Sequence, residues 1–245
     1  IGSSDGKLYA LDLQLSSTPK WEPFETGGKI WSTPAVDNGV VYIASTDHWL
    51  YAINAESGEE IWRFEAEAGI LSTPVVYEGT VYIGANDNKF YAIDVNQEEK
   101  EAKAKWVFDG ADNWFWTEAL IYDSKIWVGN HDHNVYAINI ENPEDYEVVL
   151  ETEGIIYAPP VLVKVDDEKY MIVVGSEDGY LYTIDPEDTS TARLRNLEAP
   201  ILAPICTDRE NDGIIYVHAQ NGEHVLYAIN VVKTGQEWQY ITSGD

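Results

Sequence analysis

This chain has too few cysteines for any disulfide of its own, because Cys206 is the only one among 245 residues. Basic side chains are scarce as well: 15 Lys and Arg stand against 43 Asp and Glu, for a net charge of −28. Such a balance excludes a phosphate-gripping face for nucleic acid and attraction to an anionic membrane surface. No apolar run reaches 18 residues, so no helix of this chain is expected to span a membrane. Apolar periodicity at 3.6 residues is missing, which excludes a helical solenoid. Missing too are the G-x-S-x-G elbow, the P-loop and the H-E-x-x-H zinc motif.

What remains is acidic and aromatic. Nine Trp and sixteen Tyr suit many short, half-buried strands, where flat rings pack well on a pleated surface. The negative charge reads as a solubilising surface of an extracellular or salt-loving protein. It also offers sites for divalent cations or a basic partner.

One phrase occurs six times: a short apolar strand, a polar turn, then an aromatic-led strand ending in Asp or Asn. Copies read IGSSDGKLYALD (Ile1 to Asp12), YIASTDHWLYAIN (Tyr42 to Asn54), YIGANDNKFYAID (Tyr82 to Asp94), WVGNHDHNVYAIN (Trp127 to Asn139), VVGSEDGYLYTID (Val173 to Asp185) and YVHAQNGEHVLYAIN (Tyr216 to Asn230). Their matching tyrosines are Tyr9, Tyr51, Tyr91, Tyr136, Tyr182 and Tyr227, at intervals of 42, 40, 45, 46 and 45 residues. A strand-built repeat of this length specifies a radial or stacked array. The second unit shows its plan. Ile30 to Val36, Val40 to Ser45, Leu50 to Asn54 and Glu60 to Glu65 read as four strands, joined by turns at Asp37-Asn38-Gly39, Thr46-Asp47-His48 and Glu56-Ser57-Gly58. Four antiparallel strands in this span make one β-propeller blade.

The expected fold is therefore all-β: one propeller domain over residues 1–245, with a half blade at 1–27 and full blades at 28–67, 68–110, 111–153, 154–198 and 199–245. Ile1-Gly2 match the end of a second strand (Ile83-Gly84, Val128-Gly129, Val174-Gly175). The chain is thus expected to open in mid-blade, with any targeting segment outside it. Missing strands would close a six-bladed ring; otherwise this is part of a seven- or eight-bladed one.

The lead-in Ser-Thr-Pro (32–34 and 72–74), the VYIG strand, the Asp5–Asp12 core and especially AINAESGEEIW (Ala52 to Trp62) resemble the pyrroloquinoline-quinone-like (PQQ-like) propeller repeat. This resemblance covers essentially the whole chain. It implies structural docking tryptophans at Trp21, Trp62, Trp106 and Trp238, with none near Val149 or Leu194. The family holds quinoprotein dehydrogenases, sensor ectodomains and non-catalytic propellers, among them the lipoprotein that scaffolds outer-membrane protein assembly. A dehydrogenase of this family stacks the quinone on Trp, holds calcium with Glu and Asn, uses an Asp base, and often sets adjacent disulfide-linked cysteines against the cofactor. Cys206 alone cannot supply that disulfide.

Candidate metal motifs dissolve into the repeat. His131-Asp132-His133 aligns with Asp5-Gly6, Asp47-His48, Asp87-Asn88, Asp178-Gly179 and Asn221-Gly222, so His48 and His133 read as turn residues. Thr207 to Gly213 and Lys164 to Lys169 read as polar hairpin loops, the former lacking EF-hand spacing. Cys206, in a strand-like run, is expected to be buried and inert.

The repeat breaks at Asp109 to Glu118, where Trp116-Thr117-Glu118 replaces Ser-Thr-Pro and follows Trp114-Phe115. Trp116 aligns with Trp31, Leu71, Tyr157 and Leu202, a ring expected near one mouth of a central channel, and Glu118 would place one carboxylate there. Trp114, Phe115, Trp116, Glu118, Trp31 and Tyr157 form the candidate binding patch; no catalytic or metal residue is assigned. Aromatic anchors beside polar groups suit a protein partner. The expected function is a non-catalytic binding or scaffolding propeller with no cofactor, placed in the periplasm, at the cell surface or outside the cell. Its alternatives are a PQQ- and calcium-dependent alcohol or sugar dehydrogenase fragment and a ligand-sensing receptor ectodomain.

Overall fold

The computed structural model describes residues 1–12, 19–208, 211–220, 224–232 and 235–242, with backbone alone at 224 and 235–242. Among these residues every regular element is a strand. β1 (Lys7–Leu8) and β2 (Phe24–Glu25) pair with each other, and Gly2 forms an isolated antiparallel bridge with Leu8. Five four-stranded antiparallel sheets follow, each ordered as its strands occur in the chain. The first is β3 (Ala35–Asp37), β4 (Val40–Ala44), β5 (Trp49–Asn54) and β6 (Glu60–Glu65). The second is β7 (Val75–Tyr77), β8 (Thr80–Gly84), β9 (Phe90–Asp94) and β10 (Ala104–Phe108). The third is β11 (Leu120–Tyr122), β12 (Lys125–Gly129), β13 (Asn134–Asn139) and β14 (Tyr146–Glu151). The fourth is β15 (Val161–Lys164), β16 (Tyr170–Gly175), β17 (Tyr180–Ile184) and β18 (Thr191–Asn196). The fifth is β19 (Cys206–Thr207), β20 (Ile214–Gln220), β21 (His224–Asn230) and β22 (Gly235–Thr242). These are propeller blades, five full and one partial. They fall into two compact units, Ile1–Ala119 and Leu120–Asp245.

Tight turns fix the hairpins. Asn38-Gly39, Glu78-Gly79 and Asp123-Ser124 each carry two positive φ angles between a first and a second strand, the mirror-image turn whose twist matches the strands it joins. In the first four full blades, unlike β20 in the fifth, which alternates, the second and third strands are largely buried on both faces, as in β8, where all five residues are enclosed. That is why they read as unbroken apolar runs such as VYIG and FYAID rather than as alternating patterns. Each core cluster draws on successive sheets. In the first unit, Tyr42, Leu50 and Trp62 of one sheet pack with Val81, Ile83 and Tyr91 of the next. In the second unit, Val173 and Leu181 pack with Ile215, Val217 and Ile229. Burial of each such side chain contributes roughly 1.5–3 kcal/mol.

Between the second and third strands sits a recurring polar lock. Asp87 accepts the Lys89 N–H at 3.0 Å, the Tyr91 hydroxyl at 2.6 Å and the Glu67 N–H at 2.9 Å. Glu67 ends the preceding repeat, so one carboxylate closes its own turn, pins its own third strand and holds the neighbouring blade. Asp47 repeats all three bonds with Trp49 N–H, Tyr51 and Gly27 N–H, and Asp178 with Tyr180 N–H, Tyr182 and Glu153 N–H. Asp5–Tyr9 and Asp132–Tyr136 keep the turn and tyrosine bonds. The residue after each aspartate has positive φ: Gly6, His48, Asn88, His133 and Gly179. His48 and His133 are turn residues, as the alignment of repeats implies.

Two outcomes test the lock. Hydrogen bonds to a charged group contribute roughly 1.5–3 kcal/mol each, so Asp87→Ala should lose about 3 kcal/mol of unfolding free energy and Tyr91→Phe about 1–2 kcal/mol, measured by denaturant titration. The second is alkaline lability. Burial, then the hydrogen bond to aspartate, raises the phenols of Tyr51, Tyr91 and Tyr182, and burial pushes Tyr42 up to about 12. Folding thus favours the neutral phenols. Their contribution is complete below the ordinary tyrosine value of about 10 and is lost as pH rises through the folded values. The urea midpoint should fall from about pH 10 upward, together with a rise in tyrosinate absorbance, and Tyr91→Phe should flatten that fall.

Candidate protein-binding surface

The segment leading into each first strand has the same construction. Ile30, Ile70, Phe115, Ile156 and Ile201 occupy one repeat position, and all are buried. Ile30, Ile70, Phe115 and Ile201 each donate a backbone N–H to the previous repeat, at Ser3, Ser45, Ala85 and Ser176, over 3.0–3.2 Å. Their side chains press on a residue ending the previous second strand. At Gly2, Gly84, Gly129 and Gly175 an added Cβ would overlap Ile30, Phe115, Ile156 and Ile201, respectively. At the matching position between the first two full blades, Ala44 packs in the same core cluster as Ile70.

Phe115 is thus an anchor of the frame and is corrected from the candidate patch. It is wholly buried, and its ring meets Phe90 at 5.5 Å and Phe108 at 6.2 Å edge to face. With Phe115 inward, period-two alternation turns Trp114, Trp116 and Glu118 outward, while Thr117 is enclosed. Trp114 is 43% exposed and Trp116 39%. Partial desolvation raises the Glu118 carboxyl above the usual range even though the residue lies at the surface. Trp31, at the Trp116 position of the first full repeat, is 61% exposed, with the Lys29 ammonium 5.6 Å from its ring centre. These residues all belong to the first unit. Tyr157 belongs to the second, half-buried, its ring 4.8 Å from that of His131.

The docking tryptophans join blades. Trp21 Nε1 donates to the Ala55 carbonyl at 3.3 Å and Trp62 Nε1 to the Val95 carbonyl at 3.0 Å, each acceptor lying just beyond the third strand of the following blade. The Trp21 ring lies against Gly58, where φ is 75° and a Cβ would stand 2.6 Å from Cδ2; glycine serves both the turn and the contact. Trp106 is half-buried, 5.9 Å from the Tyr82 ring. The Trp238 side chain lies outside the described residues, but its backbone faces Ala228 as Trp62 faces Ala52 and Trp106 faces Ala92. In the two blades without a docking tryptophan, register puts Glu147 opposite Ala137 and Ala192 opposite Thr183. The fourth-strand bulge also differs. It lies just before the tryptophan, at the start of the strand, in the three blades that have one, and further along the strand, at Val149 and Leu194, in the other two.

Cys206 is exposed, contrary to expectation: both residues of the two-residue strand β19 are exposed, and burial stops at Ile205 just before it. Asp208 accepts the Asn211 N–H at 3.0 Å and the Tyr216 hydroxyl at 2.7 Å, so this carboxylate orders its loop; residues 209–210 are outside the described set. In the other hairpin, Asp166 accepts the N–H groups of Glu168 and Lys169.

A family profile described as outer membrane protein assembly factor BamB matches residues 4–148, more than half of the chain. The chain belongs to this family. Among solved structures, the crystal structure of BamB from Moraxella catarrhalis is similar, with a TM-score of 0.75 and 16% identity. That match covers 98% of this chain and 68% of the other. Among curated proteins no match is found. At this identity the BamB structure speaks to fold, and the repeat geometry above accounts for it: glycine against isoleucine, aspartate against tyrosine, and tryptophan against the next blade.

The Gly84–Phe115 contact yields a test. Gly84→Ala should lose about 1–3 kcal/mol through overpacking. Adding Phe115→Ile should recover most of that loss, because Ala44 and Ile70 already coexist at the same positions. Thermal unfolding of the single and double variants measures both effects; a double variant no more stable than Gly84→Ala would contradict the equivalence.

Proposed function

We propose that this chain is a non-catalytic propeller that binds and scaffolds proteins outside the cytoplasm, in keeping with the outer-membrane assembly role named for its family. Its unbroken run of repeats over 1–245 is read as one domain. The observation that carries the binding role is the outward pair Trp114 and Trp116, held on either side of buried Phe115 with Glu118 beside them. Large, partly exposed indoles on a segment anchored from beneath make binding hot spots, because little side-chain entropy is lost when a partner covers them. The net charge of −28 favours a partner with a basic or neutral contact face over nucleic acid. An extracytoplasmic location is supported by the family's description.

The donor set does not fit a quinone centre of the kind found in dehydrogenases of this repeat family. A single thiol cannot form the vicinal disulfide, and among the described residues no three His, Cys, Asp or Glu side chains gather as a metal cluster. His131 is buried against Tyr157, and burial lowers its pKa, which suits a packed neutral imidazole. Cations on the acidic surface would be diffuse counterions.

The test is affinity capture from solubilised envelope membranes of the source organism, with the chain as bait. Trp114→Ala with Trp116→Ala should reduce recovery of the captured protein at least about tenfold, a loss of about 1.4 kcal/mol. His48→Gly with His133→Gly should leave it unchanged, with thermal transitions intact in both. Equal losses from the two pairs would overturn the assignment of the surface. Dye reduction by alcohols or sugars after addition of pyrroloquinoline quinone and calcium would overturn the non-catalytic reading.

A further inference from the structure

The fourth and fifth sheets differ from the first and second at the place where a tryptophan would join them. Ala192 in β18 holds the register position of Trp62, opposite Thr183 as Trp62 is opposite Ala52. Neighbouring equivalences support this placement: Arg193 and Arg63 match in register, and each stacks its guanidinium on the ring that begins its own third strand, 4.5 Å from Tyr180 and 4.4 Å from Trp49. The ring that packs beside Trp62 is also replaced. Tyr42 lies 5.8 Å from Trp62, whereas its counterpart is Val173. Two large aromatics are thus replaced by Val and Ala, and the larger residues nearby, Thr183 in place of Ala52 and Met171 in place of Val40, regain only part of the lost volume.

What remains is a cavity of about 320 Å³ whose walls include Met171, Thr183, Ala192, Leu194, Val231 and Val232. It sits in the second unit, between the fourth strand of one blade and the turn beyond β21 of the next. Val231 stands where Val95 and Ala55 stand: its N–H donates to Gly213 as theirs donate to Gly79 and Gly39, at 2.7–3.0 Å. The Val95 and Ala55 carbonyls receive the indole N–H groups of Trp62 and Trp21. A dry cavity of roughly 150 Å³ already takes a benzene ring, so an indole fits this one.

The charged groups at the rim are already engaged. Asp166 closes its own turn, Lys169 pairs with Asp185 at 2.9 Å, and Arg193 pairs with Glu153 at 2.7 Å. A neutral, apolar ligand with one N–H donor suits this lining better than a charged one.

We propose that the cleft between Ala192 and Val231 is a docking slot for the indole of a tryptophan carried by a partner polypeptide, received as Trp62 is received at Val95. The partner as source of the indole rests on the protein-binding reading above; the slot itself rests on the register and the cavity.

Met171 is the only methionine of the chain, so its ¹³C-labelled methyl group is a single reporter inside the slot. Titration of the whole chain with N-acetyltryptophanamide should shift that methyl resonance saturably, through the ring current of a bound indole. N-acetylleucinamide should not shift it, and free tryptophan, which must bring its own charges to a rim already paired, should bind about tenfold more weakly. Ala192→Trp should fill the slot, abolish the titration and raise the melting temperature. Should that variant fail to fold, Ala192→Glu, which copies Glu147 at the same register, should weaken binding at least about tenfold. No saturable shift, an intact titration in the folded variant, or free tryptophan binding as tightly as the amide would overturn the proposal. A silent Met171 would leave the Trp114–Trp116 surface standing, whereas unchanged partner capture by the double tryptophan variant would remove that surface and leave the slot.

Discussion

The whole repeat hangs on the carboxylate of the turn between the second and third strands. A turn of this kind needs positive φ at the next residue, which Gly, Asn and His supply here, and it leaves backbone N–H groups that must find acceptors. One aspartate answers both the local and the long-range demand. Its first oxygen closes the turn, and its second takes a tyrosine hydroxyl from its own sheet and, at Asp47, Asp87 and Asp178, an N–H from the preceding blade. The tyrosine can then be buried without stranding its hydroxyl, so the third strand can be apolar throughout. Remove the acceptor and a buried phenol, an open turn and a detached neighbour are left at once. A carboxylate is better here than an amide because all its partners are donors.

A second constraint is steric. The glycine that ends the second strand lets the next lead-in approach until isoleucine fills the place of a Cβ. Where phenylalanine stands instead, at Phe115, the glycine is retained at Gly84, and the rings of Phe90 and Phe108 take the added aromatic edge to face. This explains why the lead-in can carry unusual residues. Its inward position fixes the segment, and its outward positions, Trp114, Trp116 and Glu118, each keep a face toward solvent.

Much of the fold was legible because period and strand pattern are properties of the repeat rather than of any one copy. Six tyrosines at near-constant spacing located the blades, and comparison of copies turned His48 and His133 into turn residues. Other features were not legible. Phe115 read as surface because three consecutive aromatics look like a patch; its alignment with Ile30, Ile70, Ile156 and Ile201 was the signal that places it inside. Cys206 read as buried because its run is apolar, yet β19 is a two-residue edge strand with both residues exposed, and the apolar burial ends at Ile205. The substituted tryptophan positions were placed near Val149 and Leu194, two residues late, and the displaced bulge in those blades accounts for one residue of that offset. A bulge adds one residue to a strand without changing the composition around it, so only the pairing reveals Glu147 and Ala192.

That displaced bulge also bears on where such a fold can acquire function. In the first four full blades the second and third strands are largely enclosed on both faces, so a change there disturbs two sheets. Fourth strands are the outer strands of their sheets, with one ladder partner each; β6 adds only a short bridge from Arg63 to Glu101 on its other side. In blades with a docking tryptophan, the bulge lies beside it and helps aim the indole at the next blade. In the third and fourth full blades, both the indole and the adjacent bulge are gone, while the aspartate contacts persist, as Asp132 with Tyr136 and Asp178 with Tyr182 show, and the fourth also keeps its arginine, Arg193 over Tyr180. A blade can therefore lose its tryptophan without losing its lock, because the lock sits at the other end of the sheet. The fourth strand then becomes free to present a charge, as at Glu147, or a cavity, as at Ala192, and the repeat gains a binding feature at the position where its structural demand is least.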